Sequence, residues 1–76
     1  MNDITAHKTR TLLIQECKIL EKDIWVGLSA KHTGFSTVII NKESINSQVL
    51  ECLKSSVKGL DIHESGDKKY LIIDEL

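Results

Sequence analysis

Residues 24–41 read IWVGLSAKHTGFSTVIIN, and this stretch decides the fold. Two runs rich in β-branched and aromatic residues, IWVGLS and FSTVIIN, flank the polar segment AKHTG, whose glycine suits a tight connection. The pattern predicts an antiparallel β-hairpin. A phosphate-binding loop would need a longer glycine-rich run, a lysine directly before the serine or threonine, and a helix after it. Because a strand follows here, we interpret the polar segment as a turn.

A helix is predicted on the amino-terminal side of this hairpin. The segment DITAHKTRTLLIQECKILEKD has apolar residues at helical spacing, and Asp3 or Thr5 is the candidate N-cap. The residues that set the spacing are Ala6, Leu13, Cys17 and Leu20. A continuous strand through TLLIQECKIL is the competing interpretation, because further apolar residues widen the arc of the helix.

The second half of the chain repeats the same order of elements. A helix is predicted from Asn46 or Ser47 to Lys58, ended by Gly59 in a left-handed conformation. LDIHE and KKYLIID then flank SGD, a second hairpin in which Gly66 is available for positive φ. The prediction is a two-layer α+β fold with helix–strand–strand repeated twice. It has a four-stranded antiparallel sheet and two helices on one face.

A chain of 76 residues without proline or low-complexity linkers is predicted to form one small domain over residues 1–76. QECKILEKDIWV aligns with LECLKSSVKGLDI after one insertion, and both contain Glu-Cys in the helix. This similarity suggests an internal αββ duplication, with residues 3–41 matching residues 45–75.

Strand alternation sorts the side chains of the sheet onto two faces. One set is aliphatic and is the expected bed for the helices: Ile24, Val26, Leu28, Val38, Ile40, Leu60, Ile62, Leu71 and Ile73. All three aromatic residues of the chain fall in the opposite set, which comprises Trp25, Gly27, Ser29, Phe35, Thr37, Ile39, Asp61, His63, Tyr70, Ile72 and Asp74.

With only two helices, the second sheet face is expected to stay open and to bind a partner. An exposed apolar patch on a small chain typically marks an interaction surface, and aromatic residues are enriched in binding hot spots. The alternative is that Trp25 and Phe35 fold over the sheet edge into the core. The candidate partner-binding residues are Trp25, Phe35, Ile39, Tyr70, Ile72 and, in the hairpin turn, Lys31 and His32.

Charge favours a protein as the partner. The net charge is −1, with six basic and four acidic side chains in residues 1–42 but four basic and seven acidic ones in residues 43–76. Stacking of bases on the aromatic face would need cations to neutralise phosphates, and Lys31 is the one clear cation expected there. The alternative function is a nucleic-acid-binding regulator that uses His7, Lys8 and Arg10, which lie near the start of the first helix.

No residue pattern points to catalysis, a metal or a cofactor. His32 beside Thr33 or Ser36 could act as a general base, but no carboxylate in the pattern orients it. The histidines and cysteines lack the close spacing that forms half of a zinc site. Cys17 and Cys52 are each expected inside a helix as reduced thiols rather than as a disulfide. We therefore expect a non-enzyme with no metal and no cofactor.

The chain is expected to be a cytoplasmic protein, since no leader opens it and no apolar run approaches the roughly 20 residues of a membrane span. The predicted function is that of a small protein–protein interaction module, such as an inhibitor, an immunity-type protein or an adaptor. Its predicted partner is another protein or a second copy of itself as a homodimer, paired through the aromatic face. The alternative partner is a nucleic acid.

Overall fold

A computed structural model describes the whole chain, from Met1 to Leu76. Two α-helices and four β-strands follow one another in the order predicted from the sequence, and a short 3₁₀ turn precedes β1 and another precedes α2. The helices are α1 (Asp3–Cys17) and α2 (Ser47–Ser56), and the strands are β1 (Ile24–Leu28), β2 (Ser36–Asn41), β3 (Asp61–Glu64) and β4 (Tyr70–Asp74).

The four strands form one antiparallel sheet in the order β1-β2-β4-β3. Each hairpin pairs its own two strands, and the β2–β4 pairing joins the hairpins. Helix α1 packs on β1 and β2 and against α2, so both helices lie on one side of the sheet. The predicted two-layer α+β class is confirmed. Neither helix has the length and apolar composition that crossing a membrane requires.

Asparagine side chains cap the starts of both helices, and for α1 the cap is Asn2 rather than the expected Asp3 or Thr5. The side chain of Asn2 accepts a hydrogen bond from the Thr5 amide (2.7 Å), and that of Asn46 accepts one from the Val49 amide (2.9 Å). Each bond satisfies one amide that the first helical turn leaves without a partner. Lys18, the residue after the end of α1, takes a left-handed conformation (φ 58°).

The core lies between the helices and the inner face of the sheet. Its side chains come from the predicted aliphatic set together with the inner stripes of the helices. The buried members are Met1, Ala6, Leu13, Cys17, Ile19, Ile24, Val38, Ile40, Leu53, Val57, Leu71 and Ile73. The prediction was wrong for Leu28, which has the parity of the inner face but is 86 % exposed. It stands at the end of the edge strand β1, beyond the cover of α1.

Cys17 and Cys52 form a disulfide, so the expectation of two reduced thiols was wrong. Cys17 is the last residue of α1 and Cys52 lies within α2, and the two are 35 residues apart in sequence. The bond joins the helices at the place where they pack together. Periodicity gave each cysteine a position on its own helix but did not show which sides of the helices would meet.

The second hairpin turns at a different residue from the one expected. Lys68 takes the positive φ (61°), and Gly66 does not, although Gly59 after α2 has the predicted left-handed φ of 86°. The Asp67 carboxylate accepts hydrogen bonds from the Ser65 hydroxyl (2.6 Å) and the Lys69 amide (3.0 Å). These bonds hold the turn in place, so that a lysine adopts the left-handed conformation there.

Removal of the disulfide is expected to destabilise the fold strongly. In the chain-entropy description, a cross-link that closes a 35-residue loop contributes about 3–4 kcal/mol to the free energy of unfolding. Cys17→Ser combined with Cys52→Ser should lower the free energy of unfolding by about that amount, measured by urea denaturation. The control is the unmodified chain in a reducing agent, which should reach the stability of the double variant. If oxidised chain and double variant unfold at the same urea concentration, the disulfide contributes nothing.

Candidate protein-binding face

The outer side of the sheet carries an apolar cluster that no helix covers. We call Trp25, Ile39, Tyr70 and Ile72 the open face. Trp25 lies opposite Ile39, and Ile39 lies opposite Ile72, so three of these residues form one row across three strands. The rings of Trp25 and Tyr70 meet edge to face, with centroids 5.9 Å apart. Such pairs hold aromatic rings in a fixed arrangement.

Trp25 is 41 % exposed, while Ile39, Tyr70 and Ile72 are partly buried. Phe35, also predicted for this face, lies just before β2 and is 49 % exposed. Neither Trp25 nor Phe35 enters the core, so the alternative that they fold over the sheet edge is excluded. The structure thus brings four of the predicted residues into one cluster and leaves Phe35 at the end of the turn that precedes β2.

One end of the outer sheet side is covered by the segment between β1 and β2. The hydroxyl of Ser29 donates a hydrogen bond to Asp74 on β4 (2.5 Å) and accepts bonds from the amides of Lys31 and His32 (3.2 and 3.0 Å). Thr37 and Asp74 have the parity of the outer side but are 2 % and 1 % exposed. The segment is therefore more than a turn, because it folds back over the sheet.

The buried carboxylate of Asp74 is held in its charged form. Burial alone would raise its pKa, but the bonds from the Ser29 hydroxyl and the Glu75 amide (2.8 Å), with the charges of His32 and the Met1 ammonium, keep the pKa below its ordinary value. The Met1 ammonium lies 4.0 Å from Asp74 Oδ1 and donates to the Ser36 carbonyl (3.0 Å). This polar cluster locks the β1–β2 segment against the last strand.

Lys31 and His32 are not free cations on the open face. The Lys31 ammonium is 3.7 Å from Asp61 Oδ2, and the same carboxylate oxygen is 2.7 Å from His63 Nδ1. His32 Nε2 lies 3.2 Å from the Glu75 carbonyl oxygen. Both side chains help to fasten the β1–β2 segment, and Lys31 remains 49 % exposed beside the open face.

Three lysines stand at the opposite end of the face, where the sequence pattern indicated none. Lys42, Lys68 and Lys69 line a shallow cleft of about 490 Å³ next to Tyr70, together with Asn41 and Glu43. Lys42 is paired with Glu64 (3.1 Å). Strand parity could not reveal this group, because two of the lysines come from a turn and the third follows the end of β2.

The local chemistry around His32 does not resemble a nucleophilic site. The Ser29 hydroxyl donates to a carboxylate rather than to an imidazole, and Ser29 is only 8 % exposed. A serine nucleophile needs a base positioned to take its proton and access to the substrate. No group of three histidine, cysteine or acidic side chains has the geometry to hold a metal ion.

The predicted nucleic-acid residues do not form one patch. Arg10 donates to the carbonyl oxygens of Ile24 (2.9 Å) and Glu21 (3.1 Å), which holds its guanidinium against the start of β1. His7 lies 3.6 Å from Asp3 and borders a shallow depression together with Lys8. In a helix Lys8 and Arg10 are about 200° apart around the axis, so they point to different sides.

The site defined by these residues is an aromatic sheet face on a small two-layer α+β chain, covered by the β1–β2 segment at one end and bordered by lysines at the other. No protein-family model, curated protein or solved structure matches the chain. The chemistry of the face is therefore the basis for a proposal about function.

Asp74→Asn should lower stability at neutral pH and weaken its dependence on acid. A carboxylate whose pKa is lower in the folded chain stabilises the fold above its unfolded pKa, about 3.9, and loses that contribution as the pH falls through the folded value. We expect a loss of about 1–3 kcal/mol near pH 7, because a buried hydrogen-bonded network is broken. The measurement is urea denaturation between pH 2 and 7, in about one-unit steps.

The control for this experiment is Glu16→Gln, which neutralises an exposed carboxylate on α1. It should leave the free energy of unfolding near that of the unmodified chain throughout the pH range. Equal pH profiles for Asp74→Asn and Glu16→Gln would contradict a stabilising role for the Asp74 charge.

Proposed function

We propose that the chain is a non-enzymatic protein–protein interaction module, of the inhibitor, immunity-type or adaptor kind, which binds its partner through the open face. The observation that carries the proposal is the exposed Trp25 ring, which meets Tyr70 edge to face within an apolar cluster. A ring held in place loses little conformational freedom when a partner packs against it, which favours binding.

The borders of the face supply polar contacts around this apolar centre. Lys31, Asp61 and His63 form an ion-paired group at one end, and the cleft with Lys42, Lys68 and Lys69 lies at the other. An apolar centre with a polar rim is typical of the surfaces that bind proteins. Phosphate binding is supported less well, because acidic side chains stand within each lysine group and Arg10 is held by backbone carbonyls.

The cellular location belongs to this proposal as well. The cytoplasmic expectation agreed with two reduced thiols, whereas Cys17 and Cys52 form a disulfide. Stable disulfides form mostly in oxidising compartments. The redox state of the two cysteines in the chain isolated under thiol-blocking conditions would decide between a reducing and an oxidising environment.

Trp25→Ala combined with Tyr70→Ala should abolish partner capture without unfolding the chain. Both side chains lie on the open face outside the core cluster, so the circular dichroism spectrum and the free energy of unfolding should change little. The measurement is affinity capture with the chain as bait, followed by mass spectrometry of the captured proteins. We expect the partner to be lost from the double variant.

The matched control is Leu12→Ala. Leu12 is 39 % exposed, close to the value for Trp25. It lies on α1, in the helical layer on the opposite side of the sheet from the open face. This variant should capture the same proteins as the unmodified chain. If a folded Trp25→Ala, Tyr70→Ala variant captures every one of those proteins, the open face is not the binding surface.

A further inference from the structure

The Cys17–Cys52 disulfide has a hydrogen-bond donor beside both of its sulfur atoms. The Ser56 hydroxyl, at the end of α2, lies 3.7 Å from Cys17 Sγ and 3.8 Å from Cys52 Sγ. Disulfide sulfurs carry no hydrogen, so the hydroxyl is the only possible donor in both contacts. A thiolate accepts a hydrogen bond more strongly than a neutral sulfur does, because its bond is charge-assisted. The position of Ser56 therefore favours the charged form that each sulfur takes when the disulfide is cleaved.

The two cysteines differ in exposure. Cys52 is partly exposed on α2, whereas Cys17 is 5 % exposed and belongs to the core. An attacking thiolate needs access to the sulfur, so it reaches Cys52 first and Cys17 becomes the leaving group. Cys17 stands at the last position of α1, where the helix dipole disfavours a negative charge. The hydrogen bond from Ser56 offsets that effect.

Helix α2 is short and buries few of its side chains. It has 10 residues, fewer than the roughly 12–15 below which an isolated helix is marginal in water. Leu53 is its only buried residue. A cleft of about 630 Å³ lies between α2 and the strands β3 and β4, and its lining includes Leu50, Lys54, Glu64 and Leu71. The position of α2 therefore depends on its contact with α1, which the disulfide holds together.

We propose that the disulfide is a redox switch, which a small-molecule thiol cleaves in the folded chain to release α2 from α1. In the first step the reductant's thiolate attacks Cys52 Sγ, forms a mixed disulfide there and displaces Cys17 as a thiolate, which accepts the hydrogen bond from Ser56. A second thiolate attacks the reductant's sulfur in this mixed disulfide and displaces Cys52 as a thiolate. The reductant leaves as its own disulfide.

The electrons and protons balance over these two steps. Two electrons pass from two reductant thiols to the two cysteines, and each cysteine thiolate takes up a proton from water. The switch acts on the helical layer, on the opposite side of the sheet from the open face, so it does not depend on partner binding there.

The first test is the rate at which glutathione reduces the oxidised chain, measured by alkylation of the thiols and mass spectrometry. A disulfide that is reduced only after unfolding reacts more slowly in native buffer than in concentrated urea, by the unfolding equilibrium constant of about 10³ or more. The switch should react in native buffer within about a hundredfold of the urea rate, and a larger difference overturns the inference. The first glutathione adduct should be on Cys52, and a first adduct on Cys17 overturns the assigned order of attack.

Ser56→Ala should slow reduction in native buffer about tenfold, because it removes a hydrogen bond to a charged leaving group. The matched control is Ser55→Ala, the same change one residue earlier at an exposed position, which should react at the rate of the unmodified chain. In urea all three chains should react at one rate, since no fold then holds the hydroxyl beside the sulfurs. Equal native rates for the two variants overturn the role of Ser56.

Hydrogen exchange of the backbone amides distinguishes release of α2 from a general loss of stability. In the reduced chain, protection in α2 should fall at least about tenfold below protection in β2 and β4, because the helix opens while the sheet remains folded. In the oxidised chain this difference should be absent. An equal loss of protection in α2 and in the strands would mean that the disulfide stabilises only the chain as a whole, and it would overturn the release of α2.

Discussion

The pairing of β2 with β4 is the contact on which the rest of the structure depends. Each hairpin is local in sequence, but neither can bury its inner face alone. The β2–β4 ladder places Val38 opposite Ile73 and Ile40 opposite Leu71, and these four side chains form the buried centre of the sheet. The helices pack on this centre, and the same ladder places Ile39 opposite Ile72 on the outer side. Core and open face are thus two sides of one strand pairing.

The alternation of side chains along the strands is the feature of the sheet that could be predicted from the sequence. Alternation along each strand specifies the two faces, and together with the helical stripes it gives the α+β class and places Trp25 and Tyr70 on the outer side. Leu28 shows the limit of that reasoning, because parity says which way a side chain points but not how far the helices extend over it. The three lysines beside Tyr70 lie outside the regular strands, where periodicity carries no information.

Contacts between residues far apart in sequence were the features that could not be predicted. The Cys17–Cys52 disulfide depends on how the two helices face each other, and the Ser29–Asp74 hydrogen bond joins residues 45 positions apart. Parity did place Ser29 and Asp74 on the same side of the sheet. It did not show that the β1–β2 segment would fold back and bring them together, because that depends on the strand order β1-β2-β4-β3.

The strand order also bears on the predicted αββ duplication. Its two halves, β1-β2 and β4-β3, are arranged about a line between β2 and β4, as a repeated unit paired with itself would be. The disulfide joins the two cysteines that the Glu-Cys alignment makes equivalent. This symmetry is what a duplication would produce, although duplication itself remains a prediction from the sequence.

The charged groups of β3 have a consequence for the growth of any assembly built from this chain. A sheet whose two edge strands can both pair with strands of other copies would grow at both ends into a fibril. Here His63 and Glu64 are exposed at one edge, and Asp61 is engaged by Lys31 and His63. The exposed charges of β3 therefore oppose the addition of a further strand at that edge, which protects the chain from aggregation through its sheet.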